Sequence, residues 1–433
     1  MYSKKFLEFI KKAKTPFHAV KGLADRLEEM GYERLIESGN WKNLAGGKFY
    51  VTRNDSSIIA FDFPTDLSDL SFNITASHTD SPTFKVKPNH TIETAAKTLG
   101  MHLETYGGTI YSSWLDRPLS VAGRVVIKEG NKFITKLVDV NRPLCVIPNV
   151  AIHQNRSIND GYKYNPATDM VALYGMKGDT KLNELVASEC GLDLTNVVSM
   201  ELYLYSYYRG DLFGVNNEFV LAPQIDNLEC ALLSLEAFLN SHNAKSANIY
   251  ASFDNEEVGS GSKQGALSTF LLDVITRLCE SCGLSNDDIK VALAKSMMVS
   301  CDNAHAVHPN QPGLSDQLNR VYMGDGIVIK TNANLSYTTD AISQAVFTSA
   351  LNEVGAKWQV FANRSDTRGG STLGHLSLSQ VSIDSIDIGL PQLAMHSSCE
   401  VCAVSDMVDM VEGLKSFYNH HLTKDNDNNF VVL

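Results

Sequence analysis

At 433 residues the chain exceeds the usual size of one hydrophobic core, so two domains are expected. Its 44% hydrophobic and 20% charged residues fit a soluble globular protein, and a net charge of −12 argues against nucleic-acid binding, which relies on clustered cations. Neither a membrane span nor a signal-peptide pattern is legible, and eight scattered cysteines then point to reduced thiols in a cytoplasm.

Helices open the chain. Phe6, Phe9, Ile10 and Ala13 form one apolar face, Thr15-Pro16 restarts the chain in cap-plus-proline order, and Val20, Leu23, Ala24 and Leu27 continue to Gly31. Strands are predicted over Lys48–Arg53, Ile58–Phe63 and Ser71–Ser77, the last running into His78-Thr79-Asp80. From about Phe84 to Gly214 the texture is strand-rich. It includes a hairpin, Ser120–Lys128 with Lys132–Val140, and a tyrosine-rich strand over Ser199–Tyr208 that suits packing against another subunit.

The α/β pattern resumes near Phe219. A helical stripe of Leu228, Ala231, Leu232, Leu235 and Leu239 follows Asp226-Asn227, and the alternating strand Ala247–Phe253 leads into Asp254-Asn255-Glu256-Glu257. A helix over Ala266–Cys282, a strand Ser296–Cys301 ending at Asp302, and a helix over Thr339–Val354 come next. Leu390–His396 then precedes a final helix opened by Ser405-Asp406. The predicted architecture is α/β, with residues 1–84 and 215–433 forming one discontinuous domain and residues 85–214 an inserted β-rich domain.

His78, Asp226, Glu256-Glu257, Asp302 and His396 each fall where a strand candidate ends, the position at which open α/β sheets bind ligands. An isolated Glu-Glu pair is ordinarily a solvated turn, but this coincidence predicts one composite site. Mixed imidazole and carboxylate donors suit zinc, and would admit Co²⁺ or Mn²⁺. Two metal ions ~3.5–4 Å apart activate water and polarise a carbonyl, and a carboxylate outside the ligand set moves the proton. One glutamate of the pair is therefore free for that task. Asp80, two residues past His78, is placed to fix the imidazole tautomer.

The surrounding words carry a family resemblance: Ser77-His78-Thr79-Asp80-Ser81-Pro82, Glu104-Thr105-Tyr106-Gly107-Gly108, Trp114-Leu115-Asp116-Arg117, Asp254–Ser260 and Asp302–Asn310. Together they resemble the M18 metalloaminopeptidases, the aspartyl aminopeptidases of the di-zinc exopeptidase clan. That resemblance implies a three-layer αβα catalytic domain whose inserted β-rich domain makes dimers, assembled further into a tetrahedral dodecamer. It implies two Zn²⁺ per subunit, with Asp226 bridging, His78 and Asp302 completing one site, and Glu257 and His396 the other. Glu256 would be the general base, aided by Asp80. The substrate would be a peptide with a free N-terminus, preferably Asp or Glu. His153 would reach into a neighbouring subunit's site, and Lys330 and Tyr337 would contact the substrate, a cation suiting an acidic side chain.

Competing readings exist for several of these residues. His305 and His308, three apart, could pair on a metal, but a full ligand set favours a site-lining, substrate-contacting role. Lys330 could be an exposed loop cation. Cys279/Cys282 and Cys399/Cys402 have metal or redox spacing but lack the ligand context. The run Gly369–Gly374 lacks the ending of a phosphate loop and suits a backbone-lined pocket wall. At the level of activity, the alternatives are a carboxypeptidase or deacylase of the same clan, an aminopeptidase of broad or neutral preference, and an idle scaffold.

Overall fold

The structure, a computed structural model, describes residues 2–367 and 369–433. Every residue of the strands Phe72–His78, Ala247–Phe253 and Met297–Cys301 is buried. Strands buried on both faces are those covered on both sides, as in parallel sheets between helical layers. These three lie side by side and parallel, with Phe253 opposite His78 and Ser300 opposite Ala76. Among the described residues they form the centre of a nine-stranded sheet. Its order is 33–34, 48–53, 57–62, 247–253, 72–78, 297–301, 384–389, 327–331, 358–362.

Alternation along the strands divides the side chains between two cores. Met297, Val299 and Cys301 pack with the helices Tyr2–Lys12, Pro16–Glu29, Ile225–Leu239, Ala341–Val354 and Val404–Asn419. Met298, Ile74 and Phe253 pack on the other face against Phe270–Ser281 and Asn286–Ala294. The result is the three-layer αβα arrangement that the resemblance implied.

The strands Thr83–Glu93, Thr98–Tyr106, Leu119–Glu129, Lys132–Asp139, Ala172–Met176 and Val197–Ser206 form a separate antiparallel sheet with its own apolar core. Its hairpin turns at Gly130-Asn131, where Gly130 has φ 60°. A third sheet joins Asp211–Phe213, Phe219–Ala222, Glu400–Ala403, Pro391–Leu393 and Ala304–His305.

Several elements differ from the sequence expectation. The helix expected from Ala266 begins at Phe270, and Asn286–Ala294 is an additional helix opened by a capping box between Ser285 and Asp288. Tyr203 and Tyr205 are buried within the chain. The Tyr203 ring lies 6.4 Å from that of Phe17, and the Tyr205 hydroxyl donates to Asp139 at 2.7 Å. These two tyrosines are thus engaged within the chain, whereas Tyr207 of the same run is exposed. Asp226 is not at a strand end but in the first, distorted turn of Ile225–Leu239, and His396 lies in the turn between Pro391–Leu393 and Glu400–Ala403.

Candidate metal centre

Three parallel strands end at one edge of the central sheet and deliver His78, the Asp254–Glu257 turn and Asp302 to it. The turn depends on left-handed backbone at Asn255, Gly259 and Ser260, with φ of 66°, 94° and 58°. Asparagine and glycine tolerate that region best. Glu256 and Glu257 consequently leave the strand in a short 3₁₀ turn, where successive side chains diverge.

The carboxylate of Asp226 is central. Its Oδ1 lies 3.5 Å from His78 Nε2, and its Oδ2 lies 3.4 Å from His396 Nε2. Each imidazole has a second carboxylate: Asp302 Oδ1 is 3.7 Å from His78 Nε2, and Glu257 Oε2 is 3.4 Å from His396 Nε2. His78, Asp226 and Glu257 offer donor atoms all within 4.8 Å of one another. Among the described residues, Asp226 Oδ1 and Glu257 Oε1 are buried without a hydrogen-bond partner. Buried polar atoms are normally partnered, and buried charges are paired or bound to a metal. The donor set and its orphaned oxygens therefore fit a zinc site.

Electrostatics say the same. Burial opposes a charge on His78, yet Asp226, Asp302 and Asp80 hold its pKa well above the usual value. Burial likewise opposes ionisation of Asp226, and His396 and His78 outweigh it, keeping the carboxyl below its ordinary range. Burial pushes Glu256 up to about 8, and burial beside Asp226 raises Glu257 well above normal. So many carboxylates crowded into a buried space require positive charge.

Neighbouring groups orient these side chains. His78 Nδ1 lies 3.1 Å from the Asp80 carbonyl and 3.4 Å from its carboxylate, which puts the proton on Nδ1 and frees Nε2. The Asp80 carboxylate itself accepts the N–H groups of Glu256 and Glu257 at 3.1 and 3.2 Å, and the Tyr106 hydroxyl at 2.7 Å. Asp80 thus sets the glutamate pair as well as the imidazole. Asn227 donates to the Cys301 carbonyl at 2.7 Å and Asn303 to Glu229 at 2.7 Å, tying the helix that carries Asp226 to the strand that carries Asp302. Glu229 is fully buried, which pushes it up to about 8.

The inserted sheet also reaches the site. A Cβ at Gly107 would stand 3.1 Å from Glu257 Cβ, and one at Gly108 3.2 Å from His396 Nδ1. His396 Nδ1 lies 3.1 Å from the Gly108 carbonyl, the bond that leaves its Nε2 free. Tyr106, Gly107 and Gly108 belong to a word singled out in the sequence, but their contact with the ligand candidates has no local signal.

Lys330 is not a loop cation. It is 3% exposed on the strand Ile327–Thr331, donates to the Asn303 carbonyl at 2.8 Å, and lies 3.9 Å from Asp302 Oδ2. Its Nζ stands 5.6 Å from the centre of the buried Tyr337 ring, which lies 6.3 Å from that of Phe361. Phe361 lines a cavity of about 290 Å³ together with His305, His308, Asn363, Gln392 and Met395. His153 is exposed in the segment 149–165, and no hydrogen bond or ion pair links it to the site among the described residues. The glycine run leads instead to the short helix Leu373–Ser377, where Thr372 donates to Asp387 at 2.6 Å.

Residues 9–418 match the family model described as Aminopeptidase I zinc metalloprotease (M18). The chain belongs to that family. It is 40% identical over 426 residues to a probable M18 family aminopeptidase 2 of Clostridium acetobutylicum, covering 96% of this chain and 98% of the relative. Among solved structures it is similar to the Ape4 chain of an Ape4–Nbr1 complex, with TM-score 0.93, 34% identity and coverage of 96% and 85%. It is also similar to the mApe1 dodecamer of S. cerevisiae, with TM-score 0.83, 25% identity and coverage of 96% of each chain. The protein is an M18 zinc metallopeptidase with aminopeptidase activity, which sets aside the carboxypeptidase, deacylase and scaffold readings. Among the described residues, no helix is long and apolar enough to cross a membrane.

Proposed function

We propose that this aminopeptidase uses two zinc ions per subunit to remove an N-terminal Asp or Glu from peptides. The observation that carries the two-metal reading is Asp226, whose two oxygens face two imidazoles, each with its own further carboxylate. In this reading Asp226 would be shared between the two ions, His78 and Asp302 would hold one zinc, and Glu257 and His396 would hold the other. The zinc pair, when bound, supplies the Lewis acidity that lowers the pKa of water and polarises the scissile carbonyl.

The chain's own residues do the rest. Glu256 takes the proton of the attacking water on its carboxylate and returns it to the leaving amine. In the metal-free chain burial pushes its pKa up to about 8, the direction in which an ionised carboxylate becomes a stronger base. Asp80 holds it in place through the main-chain N–H.

Support for an acidic preference comes from Lys330. An ammonium has three donors, and one of them is committed to the Asn303 carbonyl. Beside Tyr337 it supplies a buried cation for a substrate carboxylate, with His305 and His308 lining the adjoining cavity. A broad or neutral preference is the second reading, favoured by Phe361 and Met395 in that cavity wall. The exposed His153 is available to another copy of the chain, and the dodecameric mApe1 supports an assembly of the same kind here, with the six-stranded sheet of the insert as a dimer contact. Eight free cysteines suit a cytoplasmic setting.

A panel of Asp-, Glu- and Leu-anilides with an N-blocked Asp-anilide, assayed against zinc content, tests this reading. Fast cleavage of the free acidic substrates at two zinc per chain is expected. Equal rates for the Leu substrate would overturn the acidic preference, and full activity at one zinc per chain would overturn the two-metal centre.

A further inference from the structure

The segments that carry Asp226 and His396 both have irregular backbone. His396 and, two residues before it, Ala394 lie at φ 68° and 58°, a region that residues with a Cβ occupy only when surrounding contacts hold them there. Asp226 has φ −76° and ψ 109° within the first turn of its helix. The N–H groups of a first turn have no acceptor within the helix, so this one must find a partner elsewhere.

One side chain serves both segments. Glu400 is buried, its Oε2 accepts the Asp226 N–H at 3.0 Å, and its Oε1 accepts the His396 N–H at 2.7 Å. It opens the strand Glu400–Ala403, which pairs with Phe219–Ala222 on one side and Pro391–Leu393 on the other. Those two strands lead into the segments of Asp226 and His396. Glu400 therefore stands where the two converge, on a rigid element belonging to neither.

We propose that Glu400 is a positioning residue for the metal centre, fixing the main chain of the shared carboxylate and that of the second imidazole at one separation. The inference rests on reading Asp226 and His396 as zinc ligands. A carboxyl side chain is suited to the task because its two oxygens can accept two main-chain N–H groups at once. Glutamine offers one acceptor and turns an NH₂ toward the other N–H. Glu400 does on one side of the site what Asp80 does on the other, where two main-chain N–H groups also converge on one buried carboxylate.

The test compares Glu400→Gln, Glu400→Asp and His396→Ala with the unaltered full chain. Zinc affinity is measured by competition with a chromophoric chelator, well below the melting temperature of each metal-free protein. Glu400→Gln should bind one of its two zinc equivalents about 10–100-fold more weakly, the effect typical of losing a group that orients a ligand. Its KM for peptide should stay unchanged. Glu400→Asp keeps the carboxyl group but withdraws it by one methylene, so it should weaken the same equivalent by less. Unaltered zinc affinity in Glu400→Gln overturns the inference; should that variant fail to fold, unaltered affinity in Glu400→Asp does so. His396→Ala separates the premise from the conclusion. If it retains both zinc equivalents, the ligand assignment fails. If it loses one while the Glu400 variants bind normally, only the role of Glu400 fails.

Discussion

The two ends of the central strands use similar residues to opposite effect. At the carboxyl end, His78, Asp226 and Glu257 crowd together with buried oxygens left unpartnered. At the amino end, Ser71, Ser246 and Ser296 each stand immediately before one of the same three strands. There Ser71 bonds Ser246 at 2.9 Å, Ser246 bonds His421 Nδ1 at 2.9 Å, and His421 Nε2 meets Asp69 at 3.0 Å. The residue order Ser–His–Asp is that of a hydrolase triad, with the ring nitrogens exchanged, Nδ1 facing the serine and Nε2 the aspartate. Yet Ser246 is 0% exposed, and its neighbours use their hydrogen bonds on one another. That end ties the C-terminal hairpin to the sheet. The two clusters differ in that Ser246, His421 and Asp69 meet one another, whereas Asp226 Oδ1 and Glu257 Oε1 meet no hydrogen-bond partner.

The largest expected effect that tests this contrast is at the glutamate pair. Glu256→Gln should lower kcat by about 10²–10⁴-fold, the usual worth of a general base, with zinc content intact. Glu257→Gln should instead lose zinc. Metal analysis beside kcat distinguishes them, and the reverse pattern would exchange their roles.

Removing zinc should abolish turnover and lower stability, since a ligand bound only by the folded state contributes about 2.7 kcal/mol at a hundred times its Kd. Thermal melting with and without a chelator measures this. No change in melting temperature would mean the unpartnered oxygens do not meet a metal.

The two ends should also respond oppositely to pH. Burial pushes Glu256 up to about 8, and burial with Asp80 pushes Asp254 up to about 7. Acids raised in the folded state contribute stability below their unfolded pKa of about 4.5 and lose it as pH rises through the folded values. Metal-free protein should therefore melt at a lower temperature as pH climbs from about 5 to 9, and zinc should flatten that decline. Lys295 and then His421 lower Asp69 to about 2, so the stability it contributes is present above about 4 and disappears toward pH 2. A metal-free melting curve that is flat above pH 5 would contradict the crowding of carboxylates.

Ser246→Ala carries the smallest effect. It leaves His421 Nδ1 without that partner, at a cost of about 1–3 kcal/mol, with kcat/KM unchanged. Denaturant unfolding paired with an activity assay checks it. A fall in kcat/KM would break the distinction between the two ends.

Much of the site was legible because its residues stand beside strong local patterns. The alternating run Ala247–Phe253 is a strand at those limits, and the glutamate pair follows it as expected. The strand Asp384–Gly389 was not legible, because Asp387 interrupts its apolar pattern. That aspartate is buried only because Thr338 and Thr372 meet it from other segments. Glu400 escaped for the same reason: its partner Asp226 is 174 residues away, and no local spacing encodes the meeting. The helix Asn286–Ala294 did have a signal, the Ser285-x-x-Asp288 capping box, that periodicity alone passes over.

The contact of Gly107 and Gly108 with Glu257 and His396 has a thermodynamic consequence. The candidate metal centre lies between the end of the central sheet and Gly107-Gly108 of the insert, which pack directly on Glu257 and His396. Coupling of that kind is reciprocal. With zinc held by Glu257 and His396, whatever steadies the insert would tighten zinc, and zinc would steady the insert by the same factor. A metal held by Glu257 and His396 would then act as a structural rivet between two parts of the chain as well as a reagent.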